Sequence, residues 1–120
     1  MAVRGVELKC ENQAVAKYFS NFKLMKRQIG EDLARNTKKR CDQLKAASDF
    51  SIYLSTGLGK PHALGGDLRG CYGISISPSI RLIVKPIVES IDPTSLKKCD
   101  AVIIRGVVDY HGQKCEWLIP

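Results

Sequence analysis

Cys71-Tyr72-Gly73-Ile74-Ser75-Ile76-Ser77-Pro78-Ser79-Ile80-Arg81-Leu82-Ile83-Val84-Lys85 decides the fold. Tyr72, Ile74 and Ile76 alternate with Gly73, Ser75 and Ser77, the period-two pattern of a strand with one buried face. Ser77-Pro78-Ser79 makes a tight turn, and Ile80 to Lys85 follows as a second, more apolar strand. The stretch therefore predicts an antiparallel hairpin. Downstream, residues 86–100 contain Pro93 and several charges and read as a long excursion. Ala101–Asp109, rich in Val and Ile, reads as the central strand, and Cys115–Ile119 as a short edge segment.

Upstream of the hairpin the pattern is different. Gly57 to Gly66, with four glycines and Pro61, is a loop. Asp49–Ser55 is readable either as a short helix or as irregular chain. Val3–Leu8 alternates loosely as a short strand, and Glu11-Asn12 caps a helix that runs to Ile29, with Val15, Phe19, Phe22 and Ile29 on one face. Gly30 stops it. Glu31 and Asp32 then open a second helix, with Leu33, Thr37, Cys41 and Leu44 inward and Arg35, Lys38, Lys39 and Lys45 outward. The order predicts one α+β domain over residues 1–120: two N-terminal helices on one face of a small, mostly antiparallel sheet, whose other face is concave and open to a ligand.

The net charge is +7, and it is uneven: residues 1–47 carry eleven Lys and Arg against five Asp and Glu, the remainder eight against seven. Such a basic half favours polyanions, because each neutralised phosphate releases condensed counterions. A solvated basic face and an anionic membrane surface are the alternatives. No run of about 18 apolar residues is present to span a bilayer. Five cysteines without a CxxC pair, and an N-terminus without an apolar leader, point to a reducing cytoplasm, with inert thiols and no metal site or cofactor.

Ionisable groups that can do chemistry stand at three places. Asp109-Tyr110-His111 ends the central strand, His62 lies in the glycine-rich loop, and Arg81 interrupts an apolar strand. Metal-free RNA cleavage needs a base for the 2′-hydroxyl, an acid for the leaving 5′-oxygen and cations for the crowded phosphate. Histidine suits both proton roles, arginine offers a forked donor, and a tyrosine ring can stack on an unpaired base. Each residue also has a plain structural reading: surface loop, strand-end turn, packing ring or paired arginine. From the residues alone the reading stops at a basic α+β domain suited to RNA.

The ordered set His62-x-Leu64-x-Gly66-Asp67, the Gly–aromatic strand start near Tyr72, the Arg81–apolar strand and the final Asp109-Tyr110-His111 resembles the HigB branch of the RelE/ParE toxin superfamily. The resemblance covers residues 60–111 closely and the helical half in architecture. It implies a RelE-like microbial ribonuclease fold and an mRNA interferase that cuts mRNA in the ribosomal A site by 2′-hydroxyl attack. Its implied partners are 16S rRNA, mRNA and a cognate, helix-turn-helix HigA-like antitoxin. It further implies His62, Asp109, Tyr110 and His111 as the catalytic group, converging in one pocket beside Arg81. His62 and His111 would serve proton transfer or phosphate contact, Asp109 orientation or base work, and Tyr110 stacking. Arg81, Arg69, Lys60, Lys38 and Lys39 would hold RNA.

The chain departs from the pattern at Gly65, where similar toxins commonly carry lysine, and in residues 112–120, which continue past the Asp-Tyr-His. Two other functions fit the same superfamily: a non-catalytic member that acts by binding a protein, as gyrase inhibitors do, and an inactive RNA-binding module.

Overall fold

A computed structural model describes residues 5–111 and 114–120. Strand β5 (Ala101–His111) is its centre. Along one edge β5 pairs antiparallel with β4 (Ile80–Pro86), which pairs in turn with β3 (Tyr72–Ser75), and β3 with the two-residue β2 (His62–Ala63). The other edge is shared: β1 (Glu7–Cys10) runs parallel along Ala101–Ile104, and β6 (Lys114–Ile119) antiparallel along Val107–His111. Among the described residues the result is a six-stranded, mostly antiparallel sheet with helices over one face, the α+β class expected.

The helical half has more pieces than expected. The first long helix is two, α1 (Gln13–Phe19) and α2 (Phe22–Ile29), because the Asn21 side chain accepts the Leu24 N–H and starts a new helix. The break rephases the chain, so Phe22 faces solvent instead of continuing the stripe begun at Val15. Helix α3 (Glu31–Ala46) buries Ala34, Thr37, Cys41 and Leu44, and the Thr37 hydroxyl donates to the Leu33 carbonyl, so its burial leaves no polar group unpaired. Asp49–Ser55 resolves as helix: Asp49 caps α4 (Phe50–Thr56) and Gly57, in the left-handed region, ends it. Residues 86–100 hold one turn of helix, α5 (Pro93–Leu96), with proline at its start. The first strand lies later than expected, at Glu7–Cys10; Val3 and Arg4 fall outside the described residues.

The main core lies between helices and sheet. Phe50, with no exposed surface, sets its ring edge-on to Tyr72 at 5.0 Å and beside Tyr53 at 6.0 Å. Burial pushes the Cys41 thiol up to about 12, against the pull of Lys45, and the Tyr53 phenol, which donates to the Leu58 carbonyl, also to about 12. Both groups hold their protons more tightly folded than unfolded. The native state therefore binds more protons than the unfolded chain above about pH 9, and stability should fall as pH rises from 9 towards 12. Urea midpoints measured across that range should drop, and the drop should shrink in Cys41→Ala and Tyr53→Phe; a flat profile in the wild type would contradict the assignment.

A smaller core covers the opposite face. Leu64 and Leu68, from the segment after β2, fold over Cys71, Ile83 and Val108, with Tyr110 packed beside them. The open face expected from sequence is thus partly roofed by its own loop.

Candidate functional site

Strand register assigns each candidate side chain to a face, because residues directly opposite across a ladder point the same way. Leu82, Val84, Val102, Ile104 and Val107 face the helices. Arg81 stands opposite Ser75 on one side and Val108 on the other, so it belongs to the loop-covered face. Its Nη1 donates to the Ser77 carbonyl at 2.8 Å and the Ile80 carbonyl at 3.1 Å, and among the described residues it makes no ion pair. A fixed, unneutralised guanidinium results.

His62 shares that face, opposite Gly73, whose missing side chain leaves the room that the imidazole and Leu64 occupy. Its Nδ1 lies 3.2 Å from the Lys60 carbonyl. A carbonyl can only accept, so Nδ1 carries the hydrogen in this contact, and in the neutral ring the lone pair then lies on Nε2. Lys60 holds its carbonyl there with a φ of 47°, an uncommon left-handed backbone for a side-chain-bearing residue and here followed by proline.

Tyr110 is on the same face as well, its backbone N–H donating to the Ser79 carbonyl at 2.8 Å. Burial raises the phenol, the neighbouring Cys115 adds to this, and the Arg81 charge acts the other way. Arg81, Tyr110 and His62 are therefore brought to one face, although β2 and β5 are three strand spacings apart, or ~14 Å.

Asp109 and His111 are not brought there. β5 does not end at Asp109; it stays paired with β6 through His111, so the parity of a paired strand turns both away from Tyr110. Asp109 stands opposite Ile80 of the helix-side core, and its Oδ2 meets His111 Nε2 at 2.9 Å. Glu116 Oε2 lies 3.9 Å from the same nitrogen, and Asp109 Oδ1 is buried without a hydrogen-bond partner among the described residues. The expectation that the two imidazoles meet in one pocket is corrected by this register: the β6 hairpin holds His111 on the helix side.

What the sequence reading missed is Arg105. Between Val84 opposite Ile104 and Ile83 opposite Gly106 the ladder slips by one residue, and the extra residue is Arg105. The bulge turns its guanidinium into a cavity of about 550 Å³ whose walls include Leu64, Gly65, Asp67, Tyr110, Cys115 and Trp117. Its Nε is 3.1 Å from Glu11 Oε1 and its Nη1 donates towards Cys71 Sγ at 3.8 Å. Gly65 lines the same cavity with nothing in reach of an added Cβ. The available signal was an arginine followed by glycine inside a Val/Ile strand.

Beside the site, Lys39, Arg40, Lys60 and Arg81 line a second concavity of about 710 Å³ at the end of the sheet, where Arg40 Nε donates to the Ser75 carbonyl. Lys38 pairs with Asp42 on the α3 surface, and Arg69 is exposed in the turn before β3. All five cysteines are free thiols. Among the described residues no three His, Cys, Asp or Glu side chains gather as a metal site, and no helix is long and apolar enough to cross a membrane.

Two solved structures share the chain path. The YoeB–YefM complex from Staphylococcus aureus and the heterotetrameric YoeB–YefM toxin–antitoxin complex from the same organism each match with a TM-score of 0.51 and 19% identity, over 88% of this chain and 97% of theirs. The fold is RelE-like. No protein-family model matches the chain, and no curated protein sequence does. The roofed sheet face, with its bulge and two arginines, is thus one version of a RelE-like scaffold.

Proposed function

We propose that the protein is the toxin of a toxin–antitoxin pair and a metal-independent endoribonuclease that cuts mRNA on the ribosome. The observation that carries the reading is the pair of arginines, Arg81 and Arg105, on one sheet face with Tyr110 and His62, in a fold shared with chains of a toxin–antitoxin complex. The RNA backbone bends over this face. His62 Nε2 takes the 2′-hydroxyl proton, the 2′-oxygen attacks the adjacent phosphorus, and the P–O5′ bond breaks to leave a 2′,3′-cyclic phosphate. The two guanidiniums stabilise the added negative charge in the transition state. A solvent proton, or that of the Tyr110 phenol, goes to the leaving oxygen. Asp109 and His111 act from the other face by pinning the strand end that carries Tyr110.

Lys39, Arg40 and Lys60 continue the cationic surface away from the cut, and Lys38 on α3 and Arg69 before β3 are further contacts for ribosomal RNA. The partner is an antitoxin, and a protein of net charge +7 suits an acidic one. Purified protein should degrade mRNA that is being translated and leave naked transcript mostly intact, followed by primer extension. Equal cleavage of both would remove the ribosome from the reading.

A second reading, RNA binding without cleavage, is favoured by the separation of His62 from His111. It expects steeply salt-dependent RNA binding and no cyclic phosphate product.

A further inference from the structure

The wall formed by β6 carries an aromatic ring that the cleavage chemistry above does not use. Trp117 is the chain's single tryptophan, 38% exposed, and its register opposite Val108 aims it at the loop-covered face. Gly106 makes its seat: with φ at 144°, a Cβ there would lie 2.1 Å from the Ile119 carbonyl oxygen and 3.1 Å from Trp117 Cε3. The bulge at Arg105 thus does two things, turning a guanidinium into the cavity and clearing backbone for the indole beside it.

The cavity's contents are of three kinds. Trp117 and Tyr110 supply aromatic surface, Leu64 and Leu68 an apolar wall, and Arg105 and Asp67 one charge of each sign. An apolar pocket of this size with a few charged groups is suited to one small ligand. An exposed indole stacks on a nucleobase, and a guanidinium binds phosphate. An ionised carboxylate is acceptor-only, with two oxygens spaced for two parallel donors. Guanine presents two such donors on one edge, N1–H and the N2 amino group. Adenine and cytosine present one amino group there, and uracil one N–H.

We propose that this cavity binds one unstacked guanine nucleotide, its base on Trp117, its Watson–Crick edge against Asp67 and its phosphate at Arg105. The proposal rests on the RNA-directed reading and names the base that the site prefers. The four ribonucleoside 5′-monophosphates are the probes and the emission of the wild-type protein is the readout, since all tryptophan signal comes from position 117. GMP should quench saturably, and AMP, CMP and UMP should need about 10-fold higher concentration. Asp67→Asn should erase the preference while binding persists. Trp117→Leu, followed by calorimetry, should weaken all four nucleotides together, with circular dichroism confirming the fold.

Absence of quenching by any nucleotide, or a guanine preference unchanged in Asp67→Asn, would overturn the proposal. Cleavage of translated mRNA by a protein that ignores GMP would defeat this inference alone. GMP binding by a protein that cuts nothing would defeat the nuclease reading and leave the pocket standing.

Discussion

Arg81→Ala should cut translated mRNA about 10²–10³-fold more slowly than wild type, the loss typical of removing one preorganised donor from a developing negative charge. The fold should survive. Arg81 is only half-buried, and what it gives up within the chain is two hydrogen bonds to the carbonyls of Ser77 and Ile80, both beside an open concavity that water can enter. His62→Ala should lose about 10²-fold or more, the usual share of a general base. His111→Ala should lose far less, because its ring is held by Asp109 on the other face. Single-turnover rates on stalled ribosomes decide the order. Full activity in Arg81→Ala, or a loss in His111→Ala as deep as in His62→Ala, would move the chemistry to the helix side of the strand end.

Phe50→Ala should destabilise the domain by about 3–5 kcal/mol, the range for emptying an aromatic site in a packed core. The ring has no exposed surface and sits between Tyr53 of its own helix and Tyr72 of the sheet, and the Phe50 N–H donates to the Cys99 carbonyl. Deleting it removes the contact that fastens α4 to β3, and the sheet cannot close on a gap whose far wall is a hydrogen-bonded strand. Urea unfolding should show a lower midpoint with an unchanged slope. A loss below about 1 kcal/mol would mean that the neighbouring rings collapse inward, which the T-shaped packing of Tyr72 opposes.

The strands were legible because their sequence repeats with period two and their turns carry Pro and Gly; Tyr72–Pro86 and Ala101–Asp109 lie close to where the alternation puts them. The helical half was less legible. Nothing at Phe19-Ser20-Asn21-Phe22 breaks a helix by propensity, and the break comes from the Asn21 side chain capturing an N–H three residues on. Short α4 was undecided because seven residues hold too few turns to show a period.

In the site, Arg81, His62 and Tyr110 were readable as chemistry-bearing types in exposed or interrupting positions. Arg105 was concealed by its setting, since a one-residue slip in the ladder is a property of two strands and neither sequence shows it alone. The convergence of Asp109 and His111 with Tyr110 depended on whether β5 stopped, and β6, read as a short edge segment, is what keeps it straight.

β1 has its ladder partner about ninety residues later in the chain, and β6 borders the same strand. During synthesis the N-terminal segment therefore has nothing to pair with until Ala101–Ile104 emerges, and neither Tyr110 nor Trp117 has its seat before then. Long-range pairing of this kind slows folding. On the proposed reading, the polypeptide therefore carries no assembled site until its last twenty residues, 101–120, have been made.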